Sequence, residues 1–397
     1  MHASPFVCAA LFLFGGEPAS RLLYPPDKLH SHSACVTECP SGDLIACWYR
    51  GSGERRADDV RIMGARLRKG AAAWSEPFLM ADTPGYPDCN PVAYVDSKKQ
   101  LWLFWPTIID HRWEGAILKA KRATKYDADG PPAWDFSEVV HLDPKDLTPQ
   151  LEKAFATIPE AVFLAVPKLK GYLVEARRRA ADGLYHRLGW MPRCRPLEHN
   201  GKLILPLYCD TFSLSLLAWT KDDGATWETG APILDLGAVQ PSVVVTKDGR
   251  FRAFMRDNGG GGRMRAAESA DEGKTWKRVW KTAMPNPGAS VDAIALKSGP
   301  WVVAANDTTR GRHRLSLAVS TDEGETWKVK RRLENFEPEK GSGGYPSILQ
   351  AADGTIHVLY TYTLKGEAAG ETIKHVAFEE AWLMAGDEAA KGVGGKE

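Results

Sequence analysis

The sequence predicts an all-β chain folded as a six-bladed β-propeller, with four-stranded antiparallel blades and one irregular insertion. Three observations carry this expectation. A turn of the form Ser/Thr-x-Asp-x-Gly-x-Thr-Trp recurs three times, and six hairpin signals recur in step with it. The composition, with 37 Gly, 26 Pro and 14 Trp in 397 residues, is that of a chain with many tight turns. Charge and polarity narrow the class further. Lys and Arg number 51 against 50 Asp and Glu, a net of +1, so there is no electrostatic footprint for nucleic acid. A hydrophobic fraction of 44% with 25% charged residues is ordinary globular composition.

Taken in chain order, the first element is the apolar run Phe6–Phe14, followed by Gly15 through Ser20. It is too short to span a bilayer and suits the core of an export leader. The expectation is therefore a leader over 1–20, a single propeller domain over 21–384, and a secreted or periplasmic protein. No other segment reaches the roughly 18 apolar residues of a membrane span.

Six hairpin turns follow, at Ser41-Gly42-Asp43, Asp96-Ser97-Lys98, His199-Asn200-Gly201, Lys247-Asp248-Gly249, Lys297-Ser298-Gly299 and Ala352-Asp353-Gly354. Each leads into a strand-like run such as LIACWY, LWLFW, LILPLY, FRAFMR, WVVAAN or TIHVLYTY. Most are followed about 25 residues on by the Asp-containing turn. Its three clear copies run Thr220–Trp227, Ser269–Trp276 and Ser320–Trp327, and degenerate copies end at Trp74 and Trp134. The Asp accepts hydrogen bonds from its own turn, the Gly supplies a positive φ, and the Trp packs between units. These residues are therefore structural. Two hairpins make a unit of about 50 residues, and six units close a ring. The last unit closes with Ile373–Val376 and the N-terminal strand. The stretch 135–195 breaks the period and contains a helix-like run from Leu147 to Ala156, so it reads as an insertion over one face. Residues 385–397, rich in Gly, Ala, Lys and Glu, read as a flexible tail.

Of seven cysteines, six remain beyond the leader (Cys35, Cys39, Cys47, Cys89, Cys194 and Cys209). They could pair in an oxidising compartment or serve as small buried residues. Cys35-x3-Cys39 lacks the second half of a zinc site, and His30 and His32, which share a strand face, lack a third ligand. No metal and no cofactor are expected. Gly259–Gly262 is not followed by the Lys-Ser/Thr of a phosphate loop.

The three Asp turns and the six-hairpin period resemble the sialidase (neuraminidase) superfamily, the BNR or Asp-box proteins, over nearly the whole propeller. MPNPGASVDAIAL, RHRLSLAVSTDEGETW and GGYPSILQAADGTIHVLYTYT are similar to its bacterial sialidase-like branch. The resemblance implies an exo-acting glycoside hydrolase that removes a terminal acidic sugar, sialic acid or a related one. It also implies an acidic glycan as the partner and a propeller able to work as a monomer. Arg256 in FMRDN and Arg312 in TTRGRHRL correspond to two of the family's carboxylate-binding arginines, with Arg310 and Arg314 as competitors for the second. Tyr345 in SGGYPSI corresponds to the nucleophile. Asp59, beside Asp58 and with Glu54 behind, corresponds to the acid/base. Asn90, Asp292 and Asn306 recur near inner-strand positions and would line the mouth.

Two positions depart from the family's pattern. His32 stands where the first arginine is expected, and Gln240 where the glutamate that deprotonates the tyrosine is expected. Glutamine cannot act as a base, and Glu175 of the inserted region is a further carboxylate that could replace it. The departures keep two alternatives open. His32 and Tyr345 could act in a lyase or hydrolase directed at uronates in the same pocket. A non-catalytic glycan-binding propeller could instead stack sugars on Trp48, Tyr49, Trp105, Trp113 or Trp190.

Overall fold

The computed structural model describes residues 17–156, 167–367 and 369–387. Six antiparallel sheets are arranged as the blades of a propeller. The first strand, β1 (Ala19–Leu22), is the outer edge of the last blade, where it pairs with β25 (Gly370–Phe378) in the register Ala19↔Ala377 to Leu22↔Lys374. The N-terminal strand thus closes the ring, and it covers the edge that β25 would otherwise expose. Ala19 and Ser20, assigned to the leader from sequence, stand inside β1, whereas the run Phe6–Phe14 lies outside the described residues.

The first complete blade is β2 (His30–Glu38), β3 (Leu44–Gly51), β4 (Arg61–Leu67) and β5 (Phe78–Ala81). The second is β6 (Val92–Val95), β7 (Leu101–Ile108), β8 (Ala116–Ala123) and β9 (Phe136–Val139). In the third, the inner strand is split into β10 (Trp190–Pro192) and β11 (Leu197–His199). Both pieces pair with β12 (Lys202–Cys209), which is followed by β13 (Leu214–Thr220) and β14 (Glu228–Thr229). The fourth runs β15 (Ala238–Val245), β16 (Phe251–Asp257), β17 (Arg263–Ser269) and β18 (Arg278–Pro285). The fifth runs β19 (Asp292–Ala295), β20 (Trp301–Ala305), β21 (Arg314–Ser320) and β22 (Lys328–Asn335). The last is β23 (Gly341–Gln350), β24 (Ile356–Leu364), β25 and β1. Each hairpin signal read from the sequence joins the first and second strands of a blade. Helices at Leu147–Ala156, Pro167–Ala180 and Gly183–Arg187 stand between β9 and β10. No described helix is long and apolar enough to cross a membrane.

The Asp turns join the third and fourth strands of their blades and repeat one hydrogen-bond scheme. Asp271 Oδ1 accepts from the Thr275 N–H at 2.8 Å, its Oδ2 accepts from the Thr275 hydroxyl at 2.6 Å, and Ser269 Oγ accepts from the Gly273 N–H at 2.8 Å. Asp222 and Asp322 do the same. The turn indoles then dock on the preceding blade, with Trp227 edge-on to Phe104 at 5.8 Å and Trp327 to Phe254 at 5.2 Å. Strand direction alternates across a blade, so these turns lie on the face opposite the starts of the inner strands. That separation excludes them from the site described below.

Cys35, Cys39, Cys47, Cys89, Cys194 and Cys209 are all buried and free, although Cys35 and Cys47 oppose each other across β2 and β3. They fill space in the core.

Candidate active site

A cavity of about 740 Å³ opens where inner strands begin and second strands end. Three of its side chains are placed by one backbone device. β2, β15 and β23 each carry a register shift, between His32 and Cys35, Val239 and Ser242, and Gly344 and Ser347. At these bulges Ser33, Gln240 and Tyr345 adopt φ of 60°, 60° and 54°, and Asn90, just ahead of β6, adopts 41°. A bulge re-aims a side chain, and a left-handed non-glycine residue is strain of the kind held at functional sites. Asn90, Gln240 and Tyr345 are each followed by a proline. Proline has no N–H to leave unpaired at an interrupted ladder. An X-Pro pair at an inner-strand start is thus a sequence signal that marks these positions independently of any family resemblance.

Tyr345 is the focus. Its side chain is buried, and Arg256 Nη1 donates to its hydroxyl oxygen at 2.7 Å. The Arg312 guanidinium lies 4.8 Å from the ring centroid, Arg193 lies 5.1 Å from it, and the His32 ring lies at 4.1 Å. Gln240 lies beside the phenol and its side chain favours the ionised form. Gly344 makes the approach of Arg312 possible, since a Cβ there would stand 3.2 Å from Arg312 Cδ. Burial pushes the Tyr345 phenol up, but Arg256, Arg312, the Gln240 side chain and Arg193 outweigh it and bring it below its ordinary value. Tyr49 and Tyr208, which also flank the cavity, are held well above theirs by burial. Of these three phenols, Tyr345 is the one held below its ordinary value.

His32 accepts or donates through Nδ1 to Thr361 Oγ1 at 3.0 Å and stacks on His30 at 5.3 Å. Burial, with Arg312, His30, Arg193 and Arg256 around it, holds it well below the ordinary imidazole range, so it is neutral. Where the family pattern places a cation, this chain places an uncharged ring. His30 faces the cavity differently. Its Nδ1 meets Glu371 at 2.8 Å and its Nε2 meets the Tyr49 hydroxyl at 3.4 Å, and that hydroxyl donates to Glu54 at 3.0 Å. Burial lowers His30, but the Glu371 hydrogen bond and charge, with Glu54, raise it above its ordinary value.

The carboxylates are redistributed relative to expectation. Asp59 is exposed and outside the cavity lining, because both its oxygens accept from the Ser52 N–H and Oδ1 also from the Ser52 hydroxyl, which cap the loop. Asp58 is exposed and bonds His111 at 2.6 Å. Glu54 lines the cavity and pairs with Arg55 at 2.8 Å. Asp210, one residue beyond β12, also lines it and is absent from the sequence-derived candidates. Burial pushes its carboxyl up to about 6, with Glu114 and Glu54 adding to the effect and Arg256 and Arg55 opposing it. No local pattern marks Asp210, because its perturbation comes from neighbours on other blades and loops.

Asn90 lines the cavity and donates to the Tyr208 hydroxyl at 3.0 Å. Asp292 and Asn306 do not line it. Asp292 ties inner strands together, accepting from Ser242 Oγ at 2.7 Å and from the Ile348 N–H at 3.0 Å. Asn306 donates to the Arg314 and Gly343 carbonyls. Glu175 is held at the surface by Arg178 and Arg179. Arg314 is turned to Asp307, which leaves Arg312 as the arginine of its group in the cavity. Of the aromatic candidates, Trp113 lines the cavity and Trp48, Tyr49, Trp105 and Trp190 are buried.

Comparison with known proteins agrees with this architecture. A sialidase of Bacteroides fragilis is 27% identical over a match covering 36% of this chain and 27% of that protein, so the match spans about a quarter of the relative's length. Among solved structures, a Dyadobacter fermentans protein of unknown function superposes with a TM-score of 0.66 at 18% identity, covering 91% of this chain and 98% of its own. A Hadza microbial sialidase gives 0.65 at 18% identity, covering 88% and 66%. The intramolecular trans-sialidase of Ruminococcus gnavus gives 0.64 at 12%, covering 89% and 95%. These likenesses establish the shared propeller. The BNR repeat-like domain family matches residues 42–154 and 177–358. With the Asp turns, the closed six-bladed ring and that match over most of its length, this chain belongs to the BNR repeat-like domain family.

Proposed function

We propose that the protein is a glycoside hydrolase of the sialidase superfamily that removes a terminal acidic sugar, sialic acid or a related one, from a glycan. The observation that carries this reading is the convergence of Arg256, Arg312 and Tyr345 in one cavity, with Arg256 bonded to the phenol. Two guanidinium groups beside the reacting oxygen suit a sugar whose anomeric centre carries a carboxylate. A tyrosine nucleophile suits the same centre, and sialidases depart from the two-carboxylate pattern of other glycosidases in this way. Asp210 takes the acid/base role expected of Asp59. A carboxyl raised to about 6 still holds a proton to give to the leaving oxygen under mildly acidic conditions. Trp113 and Lys365, at the cavity wall, would meet the rest of the glycan.

The closeness of His32 to Tyr345, 4.1 Å between ring centroids, favours a second reading. The pair would act in elimination from, or hydrolysis beside, a uronic acid. Product mass separates the readings. The protein is incubated with sialylated and uronate-capped glycans in ¹⁸O-labelled water. Hydrolysis places ¹⁸O in the released sugar, and release of labelled sialic acid supports the first reading. An unlabelled product lighter by one water means elimination. No product from any glycan, with retained binding, means a non-catalytic propeller.

A further inference from the structure

We propose that Tyr345 reacts as a phenolate stabilised by three guanidinium groups, and that Arg193 is the positioning residue that replaces the missing carboxylate base. The inference rests on Tyr345 as the reacting group of the proposed hydrolase.

Arg193 lies at the break between β10 and β11. Its side chain is 1% exposed. Nη2 donates to the Pro346 carbonyl at 3.0 Å and Nη1 to the Ala34 carbonyl at 3.5 Å, which spans the inner strands of two other blades. Its Nε has no partner. Among the described residues neither Arg193, Arg256 nor Arg312 forms an ion pair with a carboxylate; their partners are backbone carbonyls and the phenol. Burying a cation without a directly paired carboxylate is costly; Asp292 lies in the field of Arg193 and Asp210 in that of Arg256, and all three guanidinium groups bear on one phenol. Arg256 and Arg312 line the cavity and can also meet a substrate. Arg193 does not line the cavity and lies 5.1 Å from the ring centroid, so it meets no substrate itself and its charge acts on Tyr345 and on the neighbouring neutral His32.

The remaining groups facing Tyr345 fit this role. His32 from β2 is neutral, Gln240 from β15 carries no charge and lowers the phenol, and Tyr49 from β3 and Tyr208 from β12 remain protonated. Gln240 is what such a site requires. A carboxylate in its place would compete for the same guanidinium groups, whereas an amide N–H only adds to the stabilisation of the oxygen.

The chemistry then balances without a general base at the tyrosine. The phenol proton goes to water before substrate binds. The phenolate oxygen forms a bond to the anomeric carbon as the glycosidic C–O bond breaks, and the leaving oxygen takes the proton of Asp210. Water then attacks the anomeric carbon and gives its proton to Asp210, and the phenolate leaves.

Tyrosinate absorbance near 295 nm tests the proposal without any substrate. Wild-type protein is titrated against Tyr345→Phe to isolate this phenol, and then the Arg193→Gln and Arg193→Lys variants are titrated. We expect a wild-type midpoint below 10, a rise of about one pH unit or more in Arg193→Gln, and a smaller rise in Arg193→Lys. A wild-type midpoint at or above 10 overturns the proposal, as does an unchanged midpoint in folded Arg193→Gln. If Arg193→Gln does not fold, an Arg193→Lys midpoint equal to wild type overturns it equally, and an Arg193→Lys midpoint above wild type supports it. Failure to turn over any glycan would sink the hydrolase reading and leave this titration intact.

Discussion

Replacing Gln240 by Glu restores the carboxylate of the family pattern, and the geometry predicts what it does. The side chains are isosteric, Gln240 is buried, and its Oε1 has no partner, so the substitution breaks no existing bond to that atom. Its other terminal atom changes from an amide donor into an acceptor carrying charge. A unit charge about 4 Å from another, at an effective dielectric near 20, interacts by about 4 kcal/mol. At about 1.36 kcal/mol per pH unit this is an upper bound of about 3 units. The open cavity screens part of it, so the expected rise in the Tyr345 midpoint is about 1–3 units. Carboxyl and phenol titrate as a pair, and whichever loses its proton first, the fully ionised phenolate appears at higher pH than in the wild type. The assay is tyrosinate absorbance against a Tyr345→Phe background, with circular dichroism to confirm the fold. An unchanged or lowered midpoint would show that Gln240 does not bear on the phenol, and would refute the electrostatic account of the site.

Asp210→Asn should lower kcat by about 10²-fold or more and remove a limb near pH 6 from the kcat/KM profile, while Asp59→Asn leaves both unchanged; the reverse result would return the acid role to Asp59. Arg256→Ala should lower kcat/KM by about 10²-fold or more, through loss of the bond to the phenol and of the carboxylate contact, and Arg256→Lys should recover little because the planar fork is lost; initial rates on the best substrate decide this. His30 is raised by Glu371, so their pair contributes stability that is fully present below the unfolded imidazole value near 6.5 and is lost as pH rises through the native one. Glu371→Gln should therefore cost about 0.5–1 kcal/mol in urea unfolding at pH 5.5 and less at pH 9. Asp271→Ala should cost about 1–2 kcal/mol in the same assay by releasing the Thr275 bonds, with kcat unaltered, since that turn is on the far face.

The fold was legible because its signals are local. The Thr220–Trp227, Ser269–Trp276 and Ser320–Trp327 turns need Asp, Gly and Thr at fixed offsets to satisfy their own backbone, and the hairpins need turn residues between alternating strands. Both are written within a few residues and repeat. Tyr345, Arg256, Arg312, His32 and Gln240 were reachable through the family resemblance, since each stands in a short motif that matches its pattern or departs from it at one position.

The rest belongs to the tertiary structure alone. Asp59 reads as well as Asp210 in sequence, but Ser52 ties it to its own loop while Asp210 is desolvated in the cavity. Asp292 and Asn306 fall on suitable strand ends and are spent on ties between blades. Arg193 looks like one of the two arginines in PRCRP, and only closure of the ring brings it beneath a phenol 152 residues away. Hydrogen-bonded turns are decided by neighbours along the chain. Ionisation is decided by burial and by charges that meet only when the blades close, and no local pattern records them.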